Sequence, residues 1–198
     1  MRVLKFGGSS LKTGESMRRV GGIIASDRDR KVVVVSAISG VTESLLQFIS
    51  AQRKEGDVRP FMKSLRDLHV NLLADAVTDE ALRKEAIAAV DAKLVKLERT
   101  LYGITYLEEV TPKTKDFVQC YGERLSVILM AAVMRDLGVK AVACDADELG
   151  IMTDGVFGAA TADLEATRWA IVPKVQEMFY NGQTPKSPAS SASPRTAP

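Results

Sequence analysis

In "LKFGGSS" a lysine stands two residues before a glycine pair and two serines, an order suited to holding an anion. Lys5 offers positive charge. Gly7 and Gly8 remove side chains where the chain must turn, and Ser9 and Ser10 add hydroxyls and N–H groups. This is not a Walker A loop, whose lysine follows its glycines, and the chain has no G-x-G-x-x-G. A second group, "VVVVSAISGVT", sets Ser36, Ser39, Gly40 and Thr42 directly after an apolar run. A third, "YGERLS", places Gly122 inside a helical pattern, at a cost of about 1 kcal/mol against alanine. That cost is tolerable where another backbone or a ligand must approach closely, and Glu123 beside it would then present a carboxylate. Each group also has an ordinary reading: a tight turn, a helix capped by Ser39 or Thr42, a surface Glu123–Arg124 pair around a packing glycine.

Positioning these groups requires a sheet. "RVLKF" and "KVVVVSA" read as strands, the second apolar enough for burial on both faces of a parallel sheet. Met17, Val20, Ile23 and Ile24 recur at helical spacing between them, and "VTESLLQFISAQR" follows as a helix. Strand–helix–strand–helix order predicts an α/β sandwich with right-handed crossovers. Ligands of such sheets sit beyond the carboxyl ends of the strands, where both Ser/Gly turns fall, so their N–H donors and hydroxyls would face one anionic ligand.

From about Arg59 to Tyr106 the pattern is helical throughout, which predicts an antiparallel helical excursion. One long helix is expected from about Thr114 to Leu137, a third strand at "KAVACD", and a loop or short hairpin at "ADELGIMTDGVFGAAT". The last helix, "ADLEATRWAIVPKVQEMF", should kink or divide at Pro173. "KSPASSASPRTAP" has no large apolar residue and is expected to be disordered.

The bulk numbers exclude several classes. The 198 residues, 46% hydrophobic and 26% charged, suit a soluble domain with a real core. A net charge of +2 from interspersed basic and acidic residues gives no footprint for nucleic acid. Runs such as Val32 to Val35 are too short to span a bilayer. Cys120 and Cys144 lack metal-ligand spacing and read as reduced thiols of a cytoplasmic protein, and the single histidine, His69, as a surface or helix-packing residue.

Taken together, "KFGGSS", "VVSAISGVT" and "GERLS", with "TPKTKD" and "MTDGVFG", resemble the aspartokinase family of the amino-acid kinase fold, in a form similar to the archaeal members. The resemblance covers roughly residues 1–185. It implies a three-layer α/β/α sandwich of the carbamate kinase-like type, with a helical insertion and an incomplete C-terminal side. Residues 1–185 would be the aspartate-binding lobe of the catalytic domain, and 186–198 a disordered tail. It implies transfer of the γ-phosphoryl of ATP, with Mg2+, to the side-chain carboxylate of L-aspartate, the first step toward lysine, threonine and methionine. Lys5 would be catalytic. Lys5, Gly7, Gly8, Ser9 and Ser36 would hold phosphate, Thr42 and Glu123 would hold aspartate, and no side chain of the chain would ligate a metal. The full-length family implies a cytoplasmic homo-oligomer with neither nucleic-acid nor membrane partner. The alternatives are a relative acting on glutamate, acetylglutamate or a nucleotide, and a non-catalytic fragment or partner subunit.

After "GQTP" the family pattern continues V-V-T-G-F-I-G and later supplies the aspartate-site arginine, much of the nucleotide lobe and regulatory domains. This chain instead turns to "KSPASSASPRTAP". A codon string encoding that tail, read from its third nucleotide, gives VTGFIGVTEDGT, so a shifted reading frame near Pro185 is expected. The chain alone is then expected to be inactive or nearly so, with an unpaired sheet edge.

Overall fold

The computed structural model describes residues 1–51, 53–188 and 193–194. Strand β1 (Arg2–Phe6) leads through a single 3-10 turn (Gly8–Leu11) into helix α1 (Gly14–Ser26), then β2 (Lys31–Val35) and α2 (Val41–Ser50). A helical stretch follows: α3 (Glu55–Ala76), α4 (Glu80–Leu107), α5 (Pro112–Gln119) and α6 (Tyr121–Asp136). The chain then forms β3 (Ala141–Ala143), α7 (Ala146–Leu149), β4 (Met152–Thr153), α8 (Leu164–Tyr180), β5 (Thr184–Pro188) and β6 (Ser193–Pro194).

The main sheet has the order β1-β2-β5-β3, with every pairing parallel. The chain therefore runs outward to β3 and returns to fill the place beside β2. The valines of β2 alternate between buried and half-buried, as expected for an inner strand. β1 is an edge strand of the sheet. Leu4 and Phe6 pack against the core, while Val3, which suits a buried strand by type, is 63% exposed. A single uncovered face at the edge accounts for this difference.

Helix α6 is the pillar of the core. It lies against β2, β5 and β3, and also against α1, α3 and α4. Tyr121, Leu125, Leu129 and Met130 are fully buried. Pro112–Asp136 is the one helical stretch among the described residues long and apolar enough to cross a membrane, but 78% of its apolar window is buried inside the fold, which makes it a core element. The expected single helix here is two. They meet at Cys120, whose carbonyl accepts from the N–H groups of both Glu123 and Arg124 at 3.2 and 3.1 Å. Pro173, by contrast, lies inside α8 without dividing it.

The helical excursion is the pair α3–α4. Its turn is only Val77–Asp79, and Arg66 grips Asp91 across it through Nε and a terminal nitrogen at 2.6 and 2.9 Å. Arg66 and Asp91 lie nearly equal distances from that turn, so the helices are antiparallel. His69 is wholly buried in α3, with Nδ1 2.7 Å from the Leu65 carbonyl; burial pushes its pKa down, so it is a neutral packing residue and not a surface one. Both cysteines are free and buried.

Asp136, at the end of α6, fastens this hairpin to the rest. Its carboxylate accepts from Arg18 at 2.6 Å, from the Asp79 N–H at 2.8 Å and from the Thr78 hydroxyl and N–H. Burial pushes its pKa up, but the Asp79 N–H, Arg18 and Thr78 outweigh that and bring it from 3.8 to about 2. A depressed carboxylate stabilises the fold above its unfolded pKa, and that contribution is lost as pH falls through the folded value. Asp136→Asn should therefore cost about 2 kcal/mol at neutral pH. It should also flatten the stability curve between about pH 4 and pH 2, read by urea unfolding. Parallel pH curves for the two proteins would contradict this.

Residues 186–188 of the expected disordered tail pair as part of β5, and Ser193–Pro194 pair with β4. The remainder of that tail lies outside the described residues. β5 is an inner strand although it contains Pro185 and Pro188, each of which withholds an N–H from the ladder.

Candidate functional site

The carboxyl ends of β1 and β2 are held in register, with Lys5 opposite Val34 and Phe6 opposite Val35. The Ser36 N–H continues that ladder by donating to the Phe6 carbonyl at 3.0 Å. The chain then splits into two turns that touch. A Cβ on Gly8 would stand 2.3 Å from the Ala37 carbonyl oxygen and 3.2 Å from the Ser39 nitrogen. Only a residue without a side chain lets the first turn lie this close against the second. Gly7 differs: its backbone is extended, at φ −80° and ψ 165°, and the space where a Cβ would stand is open. The fold does not require glycine there.

The second turn enters α2 through Gly40, in the left-handed region at φ 86°. It places Val41 in the core and leaves Thr42 half-buried in the first turn of the helix. On its other side the turn meets α6. A Cβ on Gly122 would come within 2.8 Å of the Ala37 Cβ and 3.0 Å of the Thr42 hydroxyl. Close approach is thus the reason for a glycine inside this helix. It brings the Thr42 hydroxyl against the residue preceding Glu123.

Three segments far apart in sequence therefore converge on Ala37: the Gly7–Ser9 turn, the Ser36–Thr42 turn and the start of α6. Glu123 is 9% exposed, in the first turn of α6, where the positive end of the helix favours a carboxylate. The surface-pair reading of Glu123 and Arg124 does not hold, because both are largely buried. The Lys5 side chain is exposed on β1, with no hydrogen bond or ion pair among the described residues. Ser9 is exposed and Ser36 half-buried. No group of three or more His, Cys, Asp or Glu side chains that could hold a metal occurs among the described residues.

A set of residues not singled out from the sequence stands behind this site. Arg124 donates to Asp145 at 2.8 Å and to Asp147 at 3.1 Å, and Lys93 joins Asp145 at 2.5 Å. Burial works against the Arg124 charge, but Cys120, Asp145 and Asp147 outweigh it and hold the guanidinium ionised. Tyr121, on the same turn, is pushed up to about 12 by burial and is a neutral phenol at physiological pH. The sequence signal for the clamp was an aspartate pair, "CDAD", immediately after the third strand. A cavity of about 640 Å³ lies beside β3, and one of about 770 Å³ lies between α5 and the 151–162 segment, lined also by Cys120, Arg124 and Asp147. Neither is lined by Lys5, Thr42 or Glu123.

The chain belongs to the amino acid kinase family, whose model matches residues 1–186. The relatives it matches include aspartokinases. It is 32% identical over 178 residues to aspartokinase 3, chloroplastic, of Arabidopsis thaliana, covering 87% of this chain and 30% of the relative. It is 33% identical over 150 residues to the aspartokinase of Schizosaccharomyces pombe, covering 70% and 28%. The structure of Escherichia coli aspartokinase III in complex with lysine and aspartate superposes with a TM-score of 0.86 at 20% identity, over 98% of this chain and 42% of that one. The same enzyme in complex with aspartate and ADP gives 0.84. The chain spans about 30% of the length of the Arabidopsis relatives it matches. The expected α/β sandwich with a helical insertion is the fold observed.

Proposed function

We propose that this chain forms the aspartate-facing part of an aspartate kinase, which moves the γ-phosphoryl of MgATP to the side-chain carboxylate of L-aspartate, giving 4-phospho-L-aspartate. The observation that carries this reading is the convergence of the Gly8 turn, the Thr42 turn and Gly122 on Ala37. It gathers a phosphate-type turn, a hydroxyl and a buried carboxylate at the carboxyl edge of one sheet.

The acceptor carboxylate is already ionised near neutral pH, so no strong base is needed. Catalysis is positioning and charge neutralisation. Lys5 supplies positive charge to the transferring group, and Gly7 and Gly8 supply N–H donors, with the space beside Gly7 open. Ser9 and Ser36 add hydroxyl donors to the phosphates. Thr42 bonds the amino acid, and Glu123 takes its ammonium group. Mg2+ enters as part of the MgATP substrate, carried by the phosphates. The same reading places the protein in the cytoplasm, as a homo-oligomer, at the entry to lysine, threonine and methionine synthesis.

Isothermal titration calorimetry of the chain with acceptor amino acids tests this. L-aspartate should bind more tightly than L-glutamate, and N-acetyl-L-glutamate, lacking an ammonium group, should not bind. Glu123→Gln should weaken L-aspartate by about 10- to 100-fold, the worth of a charge-assisted contact. Preferential binding of N-acetyl-L-glutamate would overturn the assignment.

A further inference from the structure

We infer that Asp145 and Arg124 are positioning residues for the amino-acid half of this site, setting the orientation of Glu123 from behind. The inference rests on the proposed role of Glu123. The first turn of α6 is held from two sides. On one side Gly122 is pressed against Ala37 and Thr42, at distances that leave no room for a Cβ. On the other, Arg124 is bonded to Asp145 and Asp147 at 2.8 and 3.1 Å. Glu123 is the residue between these contacts.

The clamp is anchored on rigid elements. Asp145 follows β3 by two residues and is the N-cap of α7, and Glu148 reaches back to its N–H at 3.1 Å. Asp145 is 4% exposed and also takes Lys93 from α4. Strand β3, the helical excursion and the first turn of α6 therefore meet on one carboxylate. Removing its charge would leave the Arg124 guanidinium, 16% exposed, without its main partner. The first turn of α6 would then re-orient toward whatever acceptors remain, taking the Glu123 carboxylate with it. Among the described residues no hydrogen bond or ion pair joins the clamp to Lys5, Gly7, Gly8, Ser9 or Ser36, so the phosphate-holding turn is disturbed less than Glu123.

Asp145→Asn preserves shape and removes charge. In the folded variant, verified by its amide NMR spectrum, the titration midpoint of the ¹³C-labelled Glu123 carboxyl should move from its wild-type value. L-aspartate should bind about tenfold more weakly, while inorganic tripolyphosphate, read at the Gly7–Ser9 amides, binds as in the wild type. Arg124→Lys keeps the charge but cannot span both aspartates, and should give the same split with smaller amplitude. It serves where Asp145→Asn does not fold. A clamp that merely stabilises the fold would lower the melting temperature and, in the charge-conserving Arg124→Lys, leave both the Glu123 midpoint and the two affinities at their wild-type values, which overturns the inference. Should wild-type protein bind no L-aspartate, the functional reading fails, and the Glu123 midpoint in Arg124→Lys alone decides the positioning role.

Discussion

Replacing Lys5 by alanine is expected to lower phosphoryl transfer by about 1,000-fold in an enzyme that joins this chain to the remainder of a related aspartokinase domain. The transferring group carries negative charge that grows exposed as the bond to its leaving oxygen loosens, and a fixed cation at that point is worth several kcal/mol away from bulk water. Lys5 is the cation of β1 nearest the Gly7–Gly8 turn, and no carboxylate among the described residues neutralises it. Its side chain is exposed, so the fold loses little when it is shortened. Stability and function therefore separate in this variant. Aspartyl hydroxamate formation measures the turnover and urea unfolding the stability. Near-normal turnover with Lys5→Ala would remove the lysine from the chemistry.

The second large effect belongs to Gly8, and it acts through the fold. Alanine at this position would set its Cβ 2.3 Å from the Ala37 carbonyl oxygen. The obstacle is backbone on both sides, so it cannot be relieved by rotating a side chain. Either the β1 turn lifts away from the β2 turn or Ala37 moves, and Ala37 is itself pressed against Gly122. Gly8→Ala should cost about 3 kcal/mol, near the upper end for overpacking, and should weaken L-aspartate and tripolyphosphate together. Gly7→Ala is the matched control. Its Cβ meets nothing within 4 Å and its φ is −80°, so stability should hold within about 0.5 kcal/mol while tripolyphosphate binding falls. Equal stability of the two variants in urea would mean that the turns do not touch as described.

Much of this was legible from residue types because local chemistry and tertiary need coincide. The apolar run Val32–Val35 admits little but an inner strand, and the glycine at 122 announced a close approach that the contact with Thr42 explains. What was not legible depended on partners distant in sequence. Val3 has the composition of a buried residue and is exposed because nothing among the described residues covers that face of β1. The break at Cys120 carries no proline or glycine signal at that residue. "TPKSP" has the residues of a loop, yet it takes the inner place between β2 and β3, since the sheet leaves a gap only a strand can fill. Asp145 reads as the end of the third strand and Asp147 as part of a loop. Their role appears only when α7 brings them to Arg124 on α6, more than 20 residues earlier in the chain.

The central claim is spatial: the Lys5 turn, the Thr42 turn and Glu123 border one space in which a nucleotide phosphate meets an amino acid. Manganese-ATP, a paramagnetic substitute for the magnesium complex, tests it directly through relaxation of assigned amide signals. The account predicts broadening centred on Gly7, Gly8, Ser9 and Ser36, reaching Thr42 and Glu123 and fading toward the cavity lined by Lys96, Lys113 and Phe157. Broadening centred on that cavity, with the Gly7–Ser9 signals unaffected, would contradict it.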